Sequence, residues 1–94
     1  MEFIREENRF YHNNEEGRKV AEITWQKRDD VLYVDHTFTD PALRGQGIAG
    51  QLVDEVVKYA RDENLLIMPV CPYVVDKFNK DEQYQDIDFR KVSR

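Results

Sequence analysis

The chain has 94 residues, 40% apolar and 12% aromatic, with a formal charge of −5. That length allows one domain with a small, compact core, and the apolar content argues against disorder. The negative charge argues against general nucleic-acid binding, which needs a basic face.

Taken in order, residues 3–5 and 9–12 carry aromatic and β-branched side chains around the polar turn Glu6-Glu7-Asn8, and predict two short strands. A turn cluster follows at residues 13–17. Residues 19–26 alternate well enough for a half-buried strand, and Lys27-Arg28-Asp29-Asp30 predicts a charged hairpin turn. Residues 31–39 form the strongest strand pattern. Regular alternation places Leu32, Val34, His36 and Phe38 on one face and Val31, Tyr33, Asp35 and Thr37 on the other. Asp40-Pro41 ends that strand.

From Gly47 the period becomes helical. Ile48, Ala49, Leu52, Val53, Val56, Val57 and Ala60 make one apolar stripe, and Asn64 supplies a stop. Residues 65–70 are a continuous apolar run of strand length, expected to be buried on both faces and restricted by Pro69. Residues 73–78 predict a short helix, residues 81–84 a further helical turn, and the tail from about residue 87 is expected to fray. The fold class expected is α+β: antiparallel strands, then a strand–loop–helix–parallel-strand unit with a right-handed crossover, then a short helix.

Three of the four glycines fall in Gly45-Gln46-Gly47-Ile48-Ala49-Gly50, between a strand and a helix. Backbone N–H groups there can close around a phosphate. Taken literally, the run satisfies the G-x-G-x-x-G dinucleotide fingerprint. That fingerprint requires its first glycine directly after the strand and an acid at the end of the next strand. Here residues 40–44 intervene and the next apolar run leads into Cys71. A plain turn into a helix explains Gly47 and Gly50 poorly, because glycine weakens a helix start. The third reading, Arg44-x-x-Gly47-x-Ala49 as a pyrophosphate loop at a helix N-terminus, accounts for the small residues and for the charge of Arg44.

Arg44-Gly45-Gln46-Gly47-Ile48-Ala49 resembles the Arg/Gln-x-x-Gly-x-Gly/Ala motif of the GNAT superfamily of acyl-CoA N-acetyltransferases. Together with Val34-Asp35-His36-Thr37, Cys71-Pro72-Tyr73-Val74 and Tyr84-Gln85-Asp86, it is similar to the minimal, roughly hundred-residue branch of that superfamily. The resemblance implies a minimal GNAT fold and acetyl-CoA as cosubstrate without a metal. It also implies a split between the strands at 31–39 and 65–70, and an amine acceptor that is a small molecule, peptide or protein. Phe38, Thr39, Arg44, Gly45, Gln46, Gly47, Ile48 and Ala49 would bind the cosubstrate. Cys71 would be an active-site residue, as a nucleophile or as lining of the thioester channel. His36 would serve as general base if the two strands are adjacent. Tyr73 and Tyr84 could protonate the leaving thiolate, with side-chain packing the alternative for each, and Lys77 or Lys80 could meet the 3′-phosphate, with a plain solvated surface position the alternative for both. The rival reading is a non-catalytic acyl-CoA-binding module on the same fold. One cysteine and no apolar run of ~18 residues lead to the expectation of a cytoplasmic protein with no membrane or nucleic-acid partner, acting as a monomer or weak dimer.

Overall fold

The computed structural model describes residues 1–92. Five strands form one mixed sheet in chain order: β1 (Ile4–Glu6), β2 (Arg9–Asn13), β3 (Lys19–Arg28), β4 (Val31–Thr39) and β5 (Leu66–Pro69). The first three pairings are antiparallel and the last is parallel. Helix α1 (Ile48–Asp62) makes the crossover between β4 and β5, and α2 (Pro72–Lys80) follows β5 directly. Among the described residues no helix is long and apolar enough to cross a membrane.

The predicted helical stripe packs on the sheet: Ile48, Leu52, Val53, Val56, Val57 and Ala60 are buried. Ala49 is the exception, half-buried at the mouth of a cleft described below. Asn64 ends the helix as its pattern predicts, adopting φ 56° while the Leu65 N–H donates to Ala60 O at 2.8 Å. Phe10, Trp25 and Tyr59 form an aromatic cluster against this layer, with ring centroids 5.4–6.2 Å apart. The hairpin turn is shorter than the charged run suggests. Lys27 and Arg28 stay paired in β3, and only Asp29 and Asp30 turn, with Asp29 at φ 53°.

One irregularity governs the site. Trp25 pairs with Val34 but Thr24 pairs with His36, so Asp35 is an extra residue in β4. Such a bulge reverses which face later residues point to. Leu32 and Val34 therefore share the core face with Thr37 and Thr39, while His36 and Phe38 turn to the opposite face beside Tyr33. Regular alternation, which grouped His36 and Phe38 with Leu32 and Val34, fails at this one position. The Thr24 hydroxyl donates to Asp35 Oδ1 at 2.7 Å and pins the bulge.

Both helices lie over the core face, and the opposite face stays open. Leu66 and Ile67 are buried, as the apolar run predicts, but Met68 is only half-buried and Val70 is 51% exposed because no helix covers that side. The tail does not fray at residue 87. Ile67 N donates to Ile87 O at 2.7 Å, Phe89 N donates to Ile67 O at 2.8 Å, and Ile87 and Asp88 are buried. Asp88 is satisfied by Arg90, 2.8 Å away.

On the open face Glu22 is buried between Arg9 (2.8 Å) and Lys19 (2.9 Å). Burial pushes its carboxyl up, but the two cations outweigh that and hold it below the usual carboxylate range. A lowered folded-state value means that stability is fully present above the ordinary carboxylate value and is lost as pH falls through the lowered one. Thermal midpoints measured from neutral to acid pH are expected to fall less steeply in Glu22→Gln than in the parent, by about 5 °C over that range.

Candidate functional site

Asp40 starts the loop. Its carboxylate accepts from Ala42 N at 2.9 Å and caps the short 3-10 turn Pro41–Leu43, whose proline suits a first-turn position. Arg44 is extended, and then Gly45 and Gly47 take φ 84° and 72°. Neither position is crowded: a Cβ on either would meet nothing within 4 Å. Glycine is favoured there by backbone conformation and by close approach of a ligand, not by packing. Gly47 is the N-cap of α1 and provides no side-chain cap.

The result is a run of unused donors. Gln51 N is the first amide of α1 to find an acceptor, Gly47 O at 3.1 Å. Among the described residues, the six N–H groups of residues 45–50 donate to no backbone or side-chain acceptor. They sit at the positive end of a 15-residue helix, a setting that favours an anion.

Beside this loop the sheet splits. The β4–β5 ladder ends at Val34↔Pro69, although β4 runs on to Thr39. Val34 O accepts from both Val70 N (3.0 Å) and Cys71 N (2.9 Å), and the chain then turns into α2. A cleft of about 390 Å³ opens between β4, the loop and α2. Its lining includes Thr37, Thr39, Leu43, Arg44, Gly45, Gly47, Ile48, Ala49, Gly50 and Tyr73. A Cβ on Gly50 would sit 3.6 Å from Lys77 Nζ and 3.8 Å from Tyr73 Oη, so both side-chain tips lie over the start of α1.

Cys71 is the N-cap of α2 and is buried. Its Sγ lies 3.5 Å from Thr37 Oγ1, a contact spanning the two diverging strands that only the reversed face of Thr37 allows. Of the residues expected to bind a cosubstrate, Thr39, Arg44, Gly45, Gly47, Ile48 and Ala49 line the cleft. Gln46 is exposed beside it, and Phe38 is half-buried on the open face. Cys71 and His36 are not brought together, since His36 is exposed on the face opposite the Thr37–Cys71 contact. Thr37, Leu43 and Gly50 also line the cleft and were not among the residues expected to bind the cosubstrate. The bulge that selects Thr37 leaves no mark in a hydropathy pattern.

The tyrosines and lysines separate cleanly. Tyr73 is on the cleft. Tyr84 is 1% exposed, stacks on Phe78 and donates to Asp54 Oδ1 at 2.6 Å. Burial, reinforced by Asp54, raises its phenol well above the ordinary value. It is a core residue, not an acid facing the cleft. Lys77 reaches the loop, whereas Lys80 pairs with Asp76 at 3.0 Å on the surface.

Comparison with known proteins agrees with this geometry. The profile of the family described as GCN5-related N-acetyl-transferase matches residues 9–87. A GCN5-like protein from Staphylococcus aureus is 35% identical with TM-score 0.78, over 94% of this chain and 87% of that one. An acetyltransferase from Bacillus cereus is similar in fold, with 23% identity and TM-score 0.63 over 82% of this chain and 56% of that one. A Bacillus anthracis protein solved in complex with acetyl coenzyme A is similar in fold at 18% identity and TM-score 0.55, over 83% of this chain and 48% of that one. This chain thus spans about half the length of those last two. No curated protein matches it. The phosphate-type loop, the split sheet and the matched profile lead to one conclusion: the chain belongs to the GCN5-related N-acetyltransferase family.

Proposed function

We propose that the chain binds acetyl-CoA and transfers the acetyl group to a primary amine that approaches from the open face of the sheet. The observation that carries this reading is the run of six unused amides at residues 45–50, beside a cleft leading to the strand split. In it, those amides hold the diphosphate, with Arg44 and Lys77 adding positive charge. Thr37 and Thr39 flank the pantetheine path, and Cys71 lines its end at the split. The cosubstrate supplies an activated acyl group, whose C–S bond breaks as the C–N bond to the amine forms.

Attack requires a neutral amine, so a group on the open face must accept its proton. His36 is the exposed imidazole of β4 on that face, and its proposed role is therefore with the amine and not with Cys71. Among the described residues the one hydrogen-bond partner of the Cys71 thiol is the neutral Thr37 hydroxyl, which is no base to generate a nucleophile. That favours direct attack by the amine over an acetyl-cysteine. Tyr73 is the cleft hydroxyl available to protonate the leaving thiolate.

The test is time-resolved CoA release with a panel of amines and peptides. Release dependent on the amine is expected, with kcat/KM reduced about a hundredfold in His36→Ala, the lower scale for loss of a general base. Tight acetyl-CoA binding with no release from any acceptor would replace this reading with that of a non-catalytic acyl-CoA-binding module.

A further inference from the structure

A cavity larger than the cleft lies remote from the phosphate-type loop. It is a groove of about 760 Å³ where the β1–β2 turn meets β3, lined by residues 6–9 of that turn and by Thr24, Trp25 and Gln26 of β3. By register Glu6, Arg9, Thr24 and Gln26 point to the open face of the sheet. The acyl-CoA reading leaves this groove unused.

Its electrostatics favour one kind of occupant. Arg9 is the one cation in the lining, and it is committed to Glu6 (3.1 Å from Nε) and Glu22 (2.8 Å from Nη1). Glu7 has no ion-pair partner among the described residues. Thr24 connects the groove to the split, because its hydroxyl donates to Asp35 Oδ1 at the bulge, and Asp35 also has no cationic partner among the described residues. The groove and the strand split are two strand spacings apart, roughly 10 Å. An extended cation can therefore reach from an unneutralised carboxylate in the groove to another beside the split.

We propose that the acceptor is an aliphatic di- or polyamine: one ammonium docks at Glu7 in the groove while a primary amine about 10 Å away reacts beside Asp35. This rests on the transferase reading above. The reacting amine gives its proton to His36 or water, its nitrogen takes the acetyl carbon, and the thiolate released from CoA takes a proton. The second ammonium keeps its charge throughout and serves only to hold and orient the substrate.

The experiment compares kcat/KM for spermidine and for butylamine at saturating acetyl-CoA, in the parent, Glu7→Gln and Glu15→Gln. Spermidine is expected to be better by about fivefold, the scale of one exposed charge pair. Glu7→Gln should bring the ratio close to one. Glu15→Gln removes the same charge from the β2–β3 turn and should keep the preference. Equal values in the parent, a preference that survives Glu7→Gln, or a lysine peptide that outpaces spermidine would overturn the proposal. A second readout needs no turnover: spermidine titrated into the chain alone should shift the backbone amide resonances of residues 6–9, and unmoved resonances would overturn it. If those resonances shift while no amine releases CoA, the transferase reading fails and the diamine groove stands.

Discussion

Gly47→Glu is expected to raise the Kd for CoA by about a thousandfold while the chain stays folded, as read by calorimetry and circular dichroism. The residue sits in the middle of the six unused amides, at φ 72° and ahead of the first turn of α1. A carboxylate there places negative charge and bulk where the proposed diphosphate lies. Losing two charge-assisted hydrogen bonds at about 2 kcal/mol each gives that thousandfold. The backbone strain of a side chain at positive φ is a separate effect of about 1–2 kcal/mol on stability. Gly47→Ala isolates it, since a Cβ at this position meets nothing within 4 Å. Alanine should lower the thermal midpoint and leave most CoA affinity. An unchanged Kd in Gly47→Glu would remove the phosphate-loop assignment.

Trp25→Ala is expected to cost about 4 kcal/mol of folding stability, the scale of truncating a large buried aromatic. Trp25 is 2% exposed and its ring lies against Phe10 and Tyr59, so the cavity would open between β2, β3 and α1. Domains of this size hold only about 5–15 kcal/mol in total. The thermal midpoint should drop by about 20 °C. Trp25 also pairs with Val34, directly beside the bulge at Asp35 in the β3–β4 ladder. A drop of only a few degrees would mean that the aromatic cluster carries little of the core.

Much of this architecture is legible from residue pattern alone. The stripe on α1, its Asn64 stop and the strand bounds of β4 all follow from side-chain period and turn chemistry, because each is decided by local sequence. The loop was equally legible, since glycines before a helix have few other uses. The bulge was not. One extra residue in β4 is fixed by pairing with β3 and by the Thr24–Asp35 hydrogen bond, contacts between residues 11 apart in sequence. That single event sent His36 and Phe38 to the face opposite the one expected and brought Thr37 to Cys71. The docking of residues 87–89 escaped notice for the same reason. Ile87-Asp88-Phe89 is too short and mixed a run to signal an element by itself, and its place is set by the main chain of Ile67 and by the Asp88–Arg90 pair. Packing was the alternative role for Tyr84, and its stacking on Phe78 and bond to Asp54, set between α2 and α1, decide for it.

The bonds from Ile87 and Phe89 to Ile67 have a consequence for encounters between molecules. A sheet grows by adding strands at an edge with unpaired main-chain groups. Residues 87–89 occupy that position beside Ile67 of β5. The opposite margin is β1, three exposed residues long and held by a short hairpin. At the outer margins of the sheet, strand addition by another chain is therefore left to β1, whose short length offers few main-chain bonds. The sheet can keep β4 and β5 splayed apart without also presenting a long sticky outer border.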